Sequence, residues 1–241
     1  QIFNLNAQIP IHHQTGAIDF DSIIQADAFS EIHARKFGEL IIQDSGGRMK
    51  PANTFSSELL RKVSKSDTYK GLNSDQALLS IMNNPAIWYN VPLIYLKRGN
   101  DSVRKLAGID LNAKYAPLLS FFDNLGNYKL AVPLEEAYRA AIPNQFQKDF
   151  IELDRRINLL YSALEGKVMR IFPIPNDENN KWVSYPELAE ANFKGKDSLY
   201  VRNILPLYFQ SLRLAQKDQD YKQADNLLES IYGFQKKFGN E

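Results

Sequence analysis

A chain of 241 residues with 44% apolar and 12% aromatic content has ample material for a hydrophobic core, in one large domain or two small ones. Its 29 Lys and Arg against 28 Asp and Glu leave a formal net charge of +1 and no aromatic-interleaved basic stripe, so nucleic acid is not an expected partner. The absence of cysteine excludes disulfides, thiolate nucleophiles and cysteine-ligated zinc or iron–sulfur centres.

No apolar run approaches the roughly 20 residues of a membrane span, so the chain as given is expected to be soluble. Its start, "QIFNLNAQIPIHH", lacks the basic and apolar regions of a signal peptide and has no Met, which suits a processed form or an excised piece. Residues 1–24 carry the alternation "AIDFDSII" and turn formers, and read as an arm or strand. Residues 25–241 read as a single domain with a candidate sub-boundary near 110–145.

Ile32, Phe37 and Leu40, with Phe29 a turn earlier, predict an amphipathic helix that stops near Gly38. "LIIQD-SGG-RMKP" follows as a β-hairpin, its glycines supplying the positive φ of a tight turn. Asn53 or Thr54 is the expected N-cap of a helix that buries Leu59, Leu60 and Val63, and Asn73 or Ser74 caps a second helix closed by Pro85. "PLIYLK" at 92–97 reads as a strand, and the following stretch to Pro133 is irregular, mixing short helical and extended signals.

From Asn144 the pattern sharpens. Phe146, Phe150, Leu153, Ile157, Leu160, Tyr161 and Leu164 recur at spacings of three and four until Gly166, which predicts an amphipathic helix of about five turns. "KVMRIFPIP" reads as a strand and "NDENNKW" as an exposed loop. Two helical patterns around the polar break "KDQD" form an αα-hairpin, with Pro206 kinking the first helix or delaying its start. One such pair does not make a repeat array. The fold class is α+β and helix-rich: a short hairpin or small sheet, one long amphipathic helix and a C-terminal αα-hairpin.

Candidate sites are sparse. His12 and His13 are adjacent and lack the i, i+4 geometry that points two imidazoles at one metal, so a solvated arm is the alternative reading. His33 is a candidate haem or ligand contact, weighed against a hydrogen-bonded structural histidine. Arg48 and Lys50, beside Gly46-Gly47 and a helix start, resemble an anion corner without matching any phosphate-loop motif. Trp182 and Tyr185 in a polar loop are candidate partner anchors, or they fold back on the core. Acidic pairs such as Glu135 and Glu136 point apart on a helix, no nucleophile elbow or HExxH spacing occurs, and no catalytic or metal-ligating residue is assigned.

The blocks "HARKFGELIIQDSGGRMKPANTFSSELLRKVS", "YKGLNSDQALLSIMNNPAIWYNVPLIYL" and "LLYSALEGKVMRIFPIPNDENNKWVS", with the C-terminal hairpin, carry a resemblance over residues 30 to 240. They look like the large soluble segment of ResB/CcsB-type cytochrome c biogenesis proteins, in the fused CcsB–CcsA form of Bacteroidetes-type bacteria. The resemblance implies a domain on the periplasmic face of the cytoplasmic membrane, cut from between flanking transmembrane helices. It would belong to a complex that exports haem and ligates it to the CxxCH motif of apocytochrome c. Implied partners are apocytochrome c and other subunits or domains of the synthase.

The haem-handling Trp-rich "WWD" signature and the membrane-embedded histidines are absent from this sequence, so the catalytic centre would lie elsewhere in a full-length chain. No cofactor is expected in the isolated domain, with haem belonging to the full-length complex. The expected role is support of complex assembly or reception of apocytochrome. The alternatives are an extracytoplasmic ligand- or protein-binding module unrelated to haem, and an enzyme built on His33 with Arg48 and Lys50. In the enzyme, His33→Ala abolishes activity without changing the melting temperature.

Overall fold

The computed structural model describes residues 19–99 and 101–239. The chain opens with α1 (Phe20–Ala26), where Asp19 caps the helix by accepting the Ser22 N–H at 3.2 Å. Residues 20–24 are therefore helical and not a strand: Phe20 and Ile24 stand one turn apart, and Ile24 is 1% exposed. The rest of the expected N-terminal arm, residues 1–18, lies outside the described residues.

α2 (Glu31–Gly38) ends at Gly38 as expected, but its buried face is His33, Ala34, Phe37 and Gly38, while Ile32 is 69% exposed. A spacing of five residues places Ile32 about 140° from Phe37 around a helix. β1 (Ile41–Gln43) and β2 (Met49–Pro51) pair antiparallel with Ile42 opposite Lys50, and Gly47 turns the chain at φ +81°. α3 (Ala52–Ser64) starts directly from β2. Pro51 holds its N-cap position and no side chain caps it, so neither Asn53 nor Thr54 serves, because both already lie inside the helix.

α4 (Ser74–Asn83) has a full capping box between Asn73 and Gln76, and Pro85 both ends it and opens the short α5 (Pro85–Trp88). β3 (Ile94–Tyr95) is shorter than expected and pairs with β4 (Tyr115–Ala116) around α6 (Asp101–Ala107). A 3₁₀ turn (Leu118–Phe121) leads to α7 (Ala131–Arg139). The long α8 (Gln145–Leu164) begins with a second capping box, Asn144 with Gln147. β5 (Phe172–Pro173) and β6 (Trp182–Val183) make the third two-stranded sheet, followed by a 3₁₀ turn, η (Tyr185–Ala189).

The C-terminal hairpin is α9 (Gly195–Asp218) and α10 (Lys222–Phe238), broken at the polar segment as expected. Pro206 does not delay α9; it lies inside the helix. With no N–H, it leaves the Arg202 carbonyl without its intrahelical donor, and the Tyr185 hydroxyl donates to that carbonyl at 3.2 Å. The fold is α+β and helix-rich, with one continuous core cluster running from Ile24 through Trp88, Phe121, Phe150 and Phe172 to Phe234. Among the described residues no helix is long and apolar enough to cross a membrane.

Two buried arginines tie strands to helices. Arg104 donates to the carbonyls of Lys97 and Ala113 across the β3–β4 connection, and Arg156 on α8 reaches the carbonyls of Lys62 and Tyr95. The guanidinium of Arg104 satisfies carbonyls flanking the short β3 and β4, and that of Arg156 satisfies one in β3 and one in the last turn of α3.

Candidate functional site

His33 lies on α2 with a ring 1% exposed, between α9 and α10. Its Nδ1 is 2.6 Å from Asp225 Oδ1 and its Nε2 is 2.8 Å from the Tyr208 hydroxyl. A carboxylate only accepts, so Nδ1 carries the proton, and Nε2 then accepts from Tyr208. Tyr208 is fully buried, and burial raises its pKa, keeping the phenol protonated as a donor.

Burial also lowers the pKa of His33, against the raising effect of Asp225. Asp225 is pushed up by burial, yet the Lys36 ammonium at 2.5 Å and the His33 N–H outweigh this and hold it below the usual carboxylate range. The ring of Tyr221 covers the imidazole at 5.2 Å, and its hydroxyl accepts the Ser30 N–H. An open depression of about 420 Å³, walled by Lys36, Tyr221, Asp225 and Glu229, lies over this cluster. Both ring nitrogens are already bonded, so His33 acts as the histidine of a structural network. His12 and His13 lie outside the described residues.

The hairpin turn is similarly self-satisfied. Asp44 Oδ1 accepts the N–H groups of Gly46 (2.9 Å) and Arg48 (3.0 Å), the donors that an anion would need. Lys50 Nζ sits 3.0 Å from Asp44 and 3.2 Å from Glu58. The Arg48 N–H and the Lys50 ammonium lower the pKa of Asp44, and the Asp44 carboxylate in turn raises that of Lys50. The Arg48–Lys50 corner is thus filled by the chain's own carboxylates.

Trp182 is 3% exposed and belongs to β6, so it folds back on the core and does not serve as a surface anchor. Its N–H donates to Oε1 of Gln43, whose Nε2 donates to the carbonyls of Gly47 and Asn180. Gln43, 8% exposed, therefore joins the hairpin to the 180–182 segment. Sequence patterning gives no sign of this, because Asn180 and Trp182 lie more than 130 residues away. Tyr185 is 40% exposed and stands at the rim of a groove.

Two depressions have Pro186 of η in their lining. The larger, about 590 Å³, runs between the hairpin, α3, α8 and η; Phe55, Leu159 and Val168 line it together with Lys62, Lys167 and the Arg170–Glu187 pair. Arg170 grips Glu187 through Nε and Nη2 at 2.8–3.2 Å, and Glu187 also accepts from the Ser184 N–H and hydroxyl. Burial pushes the Glu187 carboxyl up, but those donors outweigh it and hold it low. The smaller, about 200 Å³, is apolar: Met82, Met169, Leu205, Pro206, Phe209 and Tyr185 surround it, with Glu165 at the edge donated to by the Tyr89 hydroxyl.

A charged depression and an apolar one, with Pro186 lining both, suit an extended polypeptide, which presents backbone amides and alternating side chains. Among the described residues no group of three or more histidines and carboxylates is placed to hold a metal ion.

No family model matches the chain. It is 30% identical over 214 residues to Protein NrfI of Wolinella succinogenes, an alignment covering 86% of this chain and 22% of that protein, so the chain spans about a fifth of that relative. With the sequence blocks described above, this similarity supports a relation to cytochrome c biogenesis.

Proposed function

We propose that the chain is the extracytoplasmic domain of a cytochrome c maturation complex of the ResB/CcsB type, and that it receives unfolded apocytochrome in the groove around Pro186. The similarity to NrfI over 86% of the chain carries this reading, and the shape and chemistry of the groove support the receptor role. In a longer protein, flanking transmembrane segments would hold the domain at the periplasmic surface beside the other parts of the synthase, where haem is handled. The cysteine-free sequence suits a neighbour of reactive CxxCH thiols, since it forms no mixed disulfide with them.

Calorimetry with an apocytochrome peptide bearing a CxxCH site, and separately absorbance with haem, tests the reading. Saturable peptide binding that weakens about tenfold in Lys167→Glu and Phe209→Ala, with the melting curve of Lys167→Glu unchanged, is the expected result. A small molecule or unrelated peptide bound equally well would favour the haem-independent binding module instead. A Soret shift lost in His33→Ala would place haem at a histidine whose two nitrogens must first give up Asp225 or Tyr208.

A further inference from the structure

α9 is 24 residues long, about 36 Å at 1.5 Å per residue. One side packs on the core through Val201, Ile204, Leu205, Tyr208 and Leu212. The other side exposes three leucines, Leu199 at 66%, Leu207 at 50% and Leu214 at 50%. At 3.6 residues per turn these fall within an arc of about 80°. Arg202, Arg213 and Lys217 occupy the adjoining arc and are exposed.

From Ser198 to Lys217 the helix contains no carboxylate; its acids, Asp197 and Asp218, stand in the end turns. Several exposed cations elsewhere pair with acids, Lys36 with Asp225, Lys70 with Asp21, Lys97 with Asp149 and Arg139 with Glu135, while others such as Lys148 and Lys181 have no ion pair among the described residues. Among the described residues, no ion pair reaches Arg202 or Lys217, and Arg213 donates only to the Asn83 side-chain oxygen at 3.0 Å. The partner helix α10 differs, because its outer face interleaves Lys222, Lys236 and Lys237 with Glu229.

We infer that this face of α9 rests on the surface of an anionic lipid bilayer, its leucines entering the headgroup boundary and its cations meeting lipid phosphates. Leucines interspersed with cations along one side of a helix that carries no acid between its end turns are the composition of interfacial helices. A protein partner would instead need a localised pocket or aromatic anchor at the centre of the face. The inference uses α9 alone and does not depend on the groove.

Co-sedimentation of the whole chain with phosphatidylglycerol vesicles and with phosphatidylcholine vesicles tests it, alongside a soluble polyglutamate control. Two triple variants, R202Q/R213Q/K217Q and L199Q/L207Q/L214Q, change exposed side chains only, and circular dichroism checks their folding. Binding to the anionic vesicles that falls about a hundredfold in the cation variant and at least tenfold in the leucine variant supports the face. Absence of vesicle binding, binding unchanged in either variant, or polyglutamate binding with no vesicle binding overturns it. Failure here leaves the peptide-binding result untouched, since none of the six residues is needed for the groove.

Discussion

The His33 cluster and the groove at Pro186 differ in a way that reverses the first impression from sequence. The cluster has the residues of proton chemistry, a histidine between a carboxylate and a phenol, yet every donor and acceptor of the imidazole is bonded inside the chain and the ring is 1% exposed. The groove has few residues of chemical note, but it is open, mixed in polarity and bordered by a half-exposed tyrosine. Buried networks fix the position of helices, and open surfaces of modest chemistry are where another molecule has room to sit.

The largest effect that separates the two belongs to His33→Ala. It removes two buried hydrogen bonds and leaves Asp225 and Tyr208 facing a cavity, so a loss of about 3 kcal/mol in denaturant unfolding is expected. A stable His33→Ala protein would break the comparison and revive the enzyme reading, in which the melting temperature does not move. The same network sets a pH dependence. With the folded His33 pKa below its ordinary 6.5, the folded state resists protonation more than the unfolded state does. Stability is thus complete above about pH 6.5 and is lost as pH falls toward the folded pKa, and the low Asp225 pKa acts in the same direction at more acid pH. Thermal melts across this range should flatten in His33→Ala; an equal slope would assign the effect to other groups.

A middle effect sharpens the groove side. Tyr185→Phe removes the donor to the Arg202 carbonyl and is expected to cost about 1 kcal/mol. In Pro206→Ala the restored N–H can take that carbonyl, so the same tyrosine change should become nearly silent; additive losses in the double variant would contradict this coupling. The smallest effect is at Lys50→Ala, expected at about 0.5 kcal/mol by chemical denaturation because its ion pairs to Asp44 and Glu58 remain partly solvated. A loss several times larger would show that the hairpin depends on that lysine as the helices depend on His33.

Local signals in the sequence were faithful to the structure wherever the cause was local. The recurrence from Phe146 to Leu164, the Asn73 cap and the "SGG" turn each depend on residues within one or two turns, and each appears as expected except at Phe146, which is 47% exposed. The misreadings have equally local explanations: a short helix in place of a strand at 20–24, where Asp19 caps, and Ile32 counted on the wrong face of α2. What could not be read were the polar residues whose partners are far along the chain. Gln43, Arg156 and Gln235 look like surface residues in any window, yet all three are buried and bonded to backbone of other elements. The larger depression was equally invisible because its walls come from four separate stretches of sequence.

Gln235 lies near the end of α10, and its side chain both donates to and accepts from Ile41 while donating to the Ile171 carbonyl. Ser30 with Tyr221, His33 with Asp225 and Ile41 with Gln235 span separations of 191, 192 and 194 residues. α1 and α2 also have neighbours nearer in the chain, Asp21 bonding Tyr69 and α2 packing on α3 and α4, but these three bonds cannot form until α10 exists. Contacts of such long sequence separation make α10 the clasp that closes this fold onto its opening helices.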